Sequence, residues 1–220
     1  MTRSRVFIPP LYPIIDSSLI PSADTEKTAT AIINGGARII QLRAKGLLSR
    51  EFLKSAFIVR KIAKDRDVIF IVNDRVDIAL IVDADGVHRG QDDLPAKEAR
   101  RLLGNDRIIG YSTHNLREAL EAVRLPVDYI SFGPIFPTKT KEDTQTPKGL
   151  KGLSEVRKAV EIPIVAIGGI TETNMAHVLK EGVESVAMIS EILTSLDISK
   201  KLNRLIAIAK DRLKTEGCRR

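Results

Sequence analysis

The feature that most constrains this chain is a set of short apolar blocks recurring from one end to the other. Residues 11–15, 39–42, 68–72, 86–88, 108–111, 129–132, 164–167 and 185–189 are rich in Val and Ile, and several are bounded by Gly, Asp or Asn. Blocks of this length and composition read as eight β-strands. Most are continuously apolar rather than alternating, as expected of strands covered on both faces. Helical spacing fills several of the intervals. Phe52, Ala56, Val59 and Ala63 share a face within 51–63, and Leu116, Ala119, Leu120 and Val123 share one within 115–123, where Asn115 is a candidate cap. A third helix is expected over 171–179. A last one over 199–213 turns Leu202, Leu205, Ile206 and Ala209 inward. The segments after Val72 and Gly90 leave room only for brief helices. Alternating β-α units of this number predict a single-domain α/β fold, a closed (β/α)8 TIM barrel. The rival, an open doubly wound sheet, normally uses fewer strands and a glycine-rich first turn, which the residues after Ile15 lack.

Composition narrows the function. The chain has 220 residues, of which 43% are hydrophobic and 29% charged, enough for one sizeable core and unlike a disordered segment. With 4% aromatics and no Trp, a base-stacking platform is a poor fit. One cysteine, Cys218, excludes an internal disulfide framework and a cysteine zinc cluster, and three scattered His make no zinc site by count. The net charge is +7, but residues 197–220 hold eight Lys or Arg against three acidic residues, so +5 of it belongs to the terminal helix. A solvated helix face explains that excess without nucleic acid or membrane. Residues 1–13 lack a continuous apolar secretory core and are interrupted by Pro9, Pro10 and Pro13. No apolar run reaches the roughly 18 residues that span a bilayer. A cytoplasmic protein is expected, while an oligomeric partner is not specified.

In a parallel barrel all strands end on one rim, so the polar residues just past each strand are read together. After the second block come Gln41, Arg43 and Lys45 at alternate positions, all to one side of an extended strand. Inside an apolar barrel that arrangement suits a polyanion, with Arg gripping phosphate oxygens in a fork and Lys adding a mobile charge. A Schiff-base role for Lys45, or a merely solvated strand end, remains open. The third block ends in Asn73-Asp74-Arg75, and the fourth leads to Gln91-Asp92-Asp93. Asp74 and Asp93 on neighbouring loops would repel unless one is protonated or a cation lies between them. Hard oxygen donors beside basic residues suggest Mg2+ bridging to phosphate, with helix capping as the alternative use and Asp92 as the weaker ligand. Ser112 either orients a substrate or caps the next helix. His114 reads as a polar helix start, His88 as a packed strand residue and His177 as a helix-surface residue. The long polar stretch 133–149 alternates hydroxyls and cations through Thr138, Lys139, Thr140 and Lys141, suited to phosphate or to a surface turn. Gly168-Gly169 before a helix, and Ile189-Ser190 after the last block, match the phosphate site built after strands seven and eight of many barrels.

Together these segments resemble the thiamine-phosphate synthase family over roughly residues 11–193. The resemblance rests on QLRAK at 41–45, NDRVDIAL at 73–80, ADGVHRGQDD at 84–93, YSTH at 111–114, GPIFPTKTK at 133–141, AIGGI at 166–170 and AMIS at 187–190. It implies a Mg2+-dependent transferase that joins 4-amino-2-methyl-5-(diphosphooxymethyl)pyrimidine to a thiazole phosphate or its carboxylate. The products implied are thiamine phosphate and diphosphate, with CO2 from the carboxylated thiazole. By resemblance Gln41, Arg43, Lys45, Asn73, Ser112 and Lys141 contact the pyrimidine diphosphate, and Arg43, Lys45, Ser112 and Lys141 serve the chemistry. Asp74 and Asp93 match the Mg2+ ligands, and Thr138, Thr140, Gly169, Ile189 and Ser190 match thiazole-phosphate contacts. Three positions depart from the family pattern. Ala44 replaces a frequent acid, Arg89 stands where an aliphatic residue is usual, and Ser185 stands where Gly is common. The related thiazole tautomerases are the alternative enzyme, and a noncatalytic phosphate-metabolite sensor is the alternative of another class.

Overall fold

Parallel strands cannot be joined by tight turns, and each pair needs a crossover long enough to return the chain to the same end. The eight apolar blocks meet that demand. In the computed structural model, which describes residues 6–138 and 146–217 and side chains as far as Asp211, they form one closed barrel in sequence order. The strands are β1 (Leu11–Asp16), β2 (Ile39–Arg43), β3 (Ile69–Asn73), β4 (Gly86–Arg89), β5 (Ile108–Thr113), β6 (Tyr129–Phe132), β7 (Ile164–Ile167) and β8 (Ser185–Met188). All pairs are parallel, and β8 closes on β1 with Val186 opposite Leu11 and Met188 opposite Pro13. The helices are α1 (Thr25–Asn34), α2 (Ser49–Lys64), α3 (Val76–Ile81), α4 (Ala96–Leu103), α5 (Leu116–Ala122), α6 (Gly149–Ala159), α7 (Met175–Lys180), α8 (Ser190–Leu193) and α9 (Ile198–Gly217). Among the described residues no helix is long and apolar enough to cross a membrane.

Pleating divides each strand between two environments. Tyr12, Gln41, Asn73, His88, Ser131 and Val165 face the barrel interior. Their alternates Leu42, Val72, Val87, Ile130 and Ala166 are buried against the helix layer. The outer face is thus mainly apolar, with Arg89 and Thr113 as buried exceptions, while the inner face is polar toward the rim where strands end.

Where the helices differ from expectation, the difference is one of packing. On α5 the buried residues are Ala119 and Ala122, whereas Leu116, Leu120 and Val123 are 39%, 44% and 46% exposed. The short helix lies close to β5 and β6 through its small side chains, so its larger ones are turned away. Asn115 does cap it, its side chain accepting the Glu118 N–H at 2.9 Å. Helices α1 and α6 lie where the periodicity suggests none. The inner face of α1 mixes Thr25 and Thr28 with Ala29, Ile32 and Ile33, which dilutes the apolar signal. The expected helix over 171–179 begins only at Met175, because 171–174 is a turn closed by Asn174 Oδ1 accepting from Thr171 N at 2.8 Å.

The rim where strands begin is fastened by one device used three times. Asp85, Asp128 and Glu184 immediately precede β4, β6 and β8. Each accepts a backbone N–H from the strand before: Phe70 at 2.7 Å, Ile109 at 2.7 Å and Ile164 at 2.8 Å. Each carboxylate is also paired with an arginine from the helix leading into that earlier strand, Arg60 at 3.0 Å, Arg100 at 2.6 Å and Arg157 at 3.1 Å. A helix, an odd strand and an even strand are thereby tied by two charge-assisted bonds. Before β2 the corresponding residue is Arg38, and the device is missing there.

Burial ranks these pairs. Side-chain exposure is 9% and 12% for Arg100 and Asp128, but 16% and 37% for Arg60 and Asp85. Arg100→Met, which strands a buried carboxylate, is expected to cost about 3 kcal/mol of unfolding free energy. Arg60→Met, at a wetter pair, should cost only about 1 kcal/mol. Urea denaturation of the two variants checks the order, and equal losses would contradict it.

Candidate active site

The mouth at the strand ends is built first by β1 and β2. Register places Asp16 opposite Arg43. The buried Asp16 carboxylate accepts from Arg43 Nη1 at 2.6 Å through one oxygen, and from Ser18 N and Oγ at 3.0 and 2.8 Å through the other. One of Arg43's donor groups is consumed in fixing the guanidinium, whose side chain keeps 13% exposure at the mouth. One level lower, Gln41 Nε2 donates to Tyr12 Oη at 3.0 Å. The bond chain continues across the interior from Tyr12 Oη to Tyr129 Oη at 2.8 Å, to His88 Nδ1 at 3.0 Å, and from His88 Nε2 to Ser112 Oγ at 3.0 Å. Burial raises the pKa of both phenols, so they remain neutral members of this chain. The His88 and Tyr129 rings stack with centroids 5.5 Å apart. Gly110 leaves the space they occupy, since a Cβ there would collide with the Tyr129 ring and with His88.

Beside this floor stands the acidic pair. Asp74 adopts a left-handed backbone, φ 63°, and its N–H donates to His88 O at 2.8 Å, which turns the side chain out of β3 toward the β4 loop. Asp93 Oδ2 accepts Gly90 N–H at 2.6 Å. The Asp74 pKa is pushed up to about 6, first by burial and then by the neighbouring Asp93 carboxyl, against the pull of Lys45 and Arg43. Lys45 Nζ lies 3.6 Å from Asp74, with 62% of its side chain exposed. Neither Asp is a helix cap: the residues before α3 and α4 are Arg75 and Pro95, without side-chain capping bonds. A partly buried Asp74 carboxyl with a second carboxyl, Asp93, beside it supplies hard oxygen donors that fit a divalent ion. Among the described residues no three His, Cys, Asp or Glu gather as a self-sufficient metal cluster.

Across the mouth, the loops after β6 and β7 are laced together. Ile135 N donates to Ile167 O at 2.9 Å, and Phe136 N donates to Gly168 O at 3.0 Å. Gly168 and Gly169 have φ of 98° and 64°, and a Cβ on Gly169 would come within 2.6 Å of Pro137 O. This close approach packs the Phe136–Pro137 backbone, which leads to Thr138, against Gly169. Lys148 N and Gly149 N return to Pro134 O and Ile135 O at 2.8 and 2.9 Å. Ile189 is buried at the end of β8, and Ser190 opens α8 in exposed position.

The structure therefore gathers Gln41, Arg43, Lys45, Asn73, Asp74, Asp93 and Ser112 on the β2–β5 side of one mouth. Thr138, Gly169, Ile189 and Ser190 stand on the β6–β8 side. Thr140 and Lys141 lie outside the described residues. Ser112 caps no helix, that role being taken by Asn115, and it is instead held by His88. His88 is buried in its strand as expected, yet it faces the mouth. His177 is exposed on α7. His114 Nδ1 bonds Gly133 O at 2.8 Å, just before the α5 cap. Sequence reasoning missed Asp16, although it ends β1 at the same level as the polar ends of β2 and β3. It also missed Tyr12 and Tyr129, which look like ordinary core aromatics. Among the described residues, the buried side-chain polar atoms without a hydrogen-bond partner are Arg89 Nε and Nη1 and Ser185 Oγ. Both residues are positions where the family-like motifs are broken.

Comparison with known proteins places this mouth in a family. Residues 11–192 match the family model described as thiamine monophosphate synthase. A thiamine-phosphate synthase of Persephonella marina is 46% identical over 89% of this chain and 93% of its own length. One from Chloroflexus aurantiacus is 43% identical over 92% and 94%. The solved structure of a thiamine phosphate pyrophosphorylase from Pyrococcus furiosus superposes with a TM-score of 0.84 at 38% identity, covering 93% of this chain and 96% of that one. With most of its length, its barrel and its rim motifs matched at this level, the chain belongs to the thiamine monophosphate synthase family.

Proposed function

We propose that this chain is a thiamine-phosphate synthase. It transfers the pyrimidine-methyl group of 4-amino-2-methyl-5-(diphosphooxymethyl)pyrimidine to the ring nitrogen of a thiazole phosphate or its carboxylate, in the cytoplasm. The observation that carries this reading is the opposition, across one barrel mouth, of a cation-and-carboxylate cluster on β2–β4 and a glycine-hydroxyl cradle on β6–β8. A diphosphate and a monophosphate have different needs, and the two sides differ accordingly.

On the diphosphate side, Arg43 is pre-oriented by Asp16, and its charge meets the negative charge that grows on the leaving group. Lys45, exposed beside Asp74, adds a second cation. Gln41 and Asn73 supply polar contacts, and Ser112 is aimed by His88 Nε2. Asp74 and Asp93 would hold Mg2+, which when bound neutralises diphosphate charge and helps it depart. In the reaction the methylene C–O bond breaks with its electron pair going to diphosphate, the aminopyrimidine ring shares the resulting positive charge, and the thiazole nitrogen closes the C–N bond. No nucleophilic side chain is required; orientation and exclusion of water are. On the other side Thr138, Gly169, Ile189 and Ser190 would hold the thiazole phosphate. Thr140 and Lys141 join the two anion sites on the strength of the family resemblance. A thiazole isomerase would have no use for the Asp74–Asp93 pair.

Incubation with both substrates and Mg2+ should yield thiamine phosphate and diphosphate in equal amounts; folded protein that makes neither would reject the assignment. Asp74→Asn and Asp93→Asn should each lower kcat/KM on the order of 10²-fold, the scale of losing one charge contact to a transition state. They should also weaken Mn2+ binding seen by calorimetry.

The same pair predicts a pH signature in metal-free protein. Asp74 is raised to about 6 in the fold from 3.8, so the folded state binds more protons between those values than the unfolded state does. Its contribution to stability is therefore greatest at low pH and is lost as pH rises from about 4 to 6. In chelator, Asp74→Asn should flatten the stability curve across that window, as measured by urea midpoints. An unchanged slope would contradict the raised pKa.

A further inference from the structure

The basic terminal helix is the sequence feature that the reaction leaves unused, and its inward face carries a second role. Lys201, on α9, keeps only 16% of its side chain exposed. Its Nζ lies 2.7 Å from Glu191 Oε1 and 2.9 Å from Glu172 Oε2. Arg204, one turn along, places Nε 3.1 Å from Glu172 Oε1. The backbone N–H of Glu172 donates to Glu191 Oε1 at 3.3 Å. One ammonium thus gathers two carboxylates from two different loops, and the loops also bond each other directly.

The identity of those loops gives the cluster its meaning. Glu172 follows the Gly168–Gly169 turn after β7, and Glu191 is the residue next to Ser190 after β8. These are the two junctions assigned above to the thiazole phosphate. Two free carboxylates beside a phosphate would repel it, and without the ammonium the glycine turn would be tied to the β8 junction here by the single long Glu172 N–H bond to Glu191. Lys201 addresses both problems. It cancels charge on the acids, whose presence in turn raises the Lys201 pKa, while Lys201 and Arg204 lower that of Glu172.

We propose that Lys201 is a positioning residue for the phosphate of the thiazole substrate: a strut from the terminal helix that locks the β7 and β8 loops together and shields that phosphate from Glu172 and Glu191. The role rests on the reading that the thiazole phosphate binds at Gly169 and Ser190. It acts on affinity for one substrate and not on the departure of diphosphate at β2–β4.

The test is a set of steady-state and calorimetric measurements on folded variants, with thiazole phosphate and the pyrimidine diphosphate varied separately. Lys201→Met should raise the KM and Kd for thiazole phosphate roughly tenfold or more, the scale of uncovering charge at a partly buried rim. The KM for the pyrimidine diphosphate should stay within about twofold, the range of a surface substitution remote from its ligand. Lys201→Arg should restore most of the affinity. Adding Glu172→Gln and Glu191→Gln to Lys201→Met should recover part of it, since the repelling charges are then gone; a purely architectural lysine would show no such recovery. Lys201→Gln replaces the Met variant if the latter does not fold. A thiazole-phosphate KM unchanged in Lys201→Met but raised in Ser190→Ala would overturn the role of Lys201 alone. If it is unchanged in both, the phosphate placement falls and this role with it. Equal rises in both substrate KM values, or no gain in the triple variant, would also overturn the proposal.

Discussion

Register is the constraint on which this molecule depends. A one-residue slip of any strand would exchange its apolar face for its polar one and dismantle the mouth. At the rim where strands begin, the pairs Arg60–Asp85, Arg100–Asp128 and Arg157–Glu184 help set that register by fixing β4, β6 and β8 to a particular N–H of the strand before. The consequence appears at the opposite rim. Asn73 is level with His88 and Ser112 with Ser131, while the β1–β2 pairing, which has no such tie, sets Asp16 level with Arg43; these alignments make the bonds of the site possible.

The polar floor is a second consequence. Buried hydroxyls, an imidazole and an amide are tolerable in a barrel only when each finds a partner, and the path from Gln41 through Tyr12, Tyr129 and His88 to Ser112 provides them in series. A satisfied network of this kind rigidifies the groups that face the substrates. Arg89 and Ser185 stand outside it, with buried polar atoms that find no hydrogen-bond partner. Unpaired buried groups of this sort cost stability, and they coincide with breaks in the family-like motifs, Arg89 within electrostatic range of Asp74 and Asp93.

The fold was legible in the sequence because strands covered on both faces leave an unbroken apolar trace, and all eight blocks became strands with ends shifted by a residue or so. Helices were read less well. Periodicity finds helices that bury large side chains, such as α2 with Phe52 and Val59, but not α1, whose inner face includes Thr25 and Thr28. On α5 it selected the wrong face, because alanines did the packing. In the site, residues whose chemistry is local to a strand end, such as Arg43, Asp74 and Asp93, were visible. Tyr12, Tyr129 and Asp16 were not, because their roles come from partners in other strands. The strand-start acids were equally hidden: an Asp before a strand says nothing until its arginine arrives from a helix twenty or more residues away.

The distribution of charge around the barrel separates what holds it together from what it does. At the strand-start rim, the carboxylates of Asp85, Asp128 and Glu184 are each matched to an arginine and a backbone N–H, leaving little field for a ligand. At the mouth, Lys45 is largely exposed, and burial together with the neighbouring Asp93 raises the pKa of Asp74. Under the proposed reading, a metal diphosphate would meet both kinds of group, its cation the carboxyl pair and its anion the lysine and arginine. In a closed barrel β2–β4 lie across from β6–β8, so anchoring one substrate by its diphosphate and the other by its phosphate leaves their uncharged ends to meet between the anchors. On the proposed reading Ser112, on β5 between the two sides and held by His88, would stand near that meeting point. Placing the anions apart and the reacting atoms together is how a barrel with no nucleophilic side chain in use can form a C–N bond.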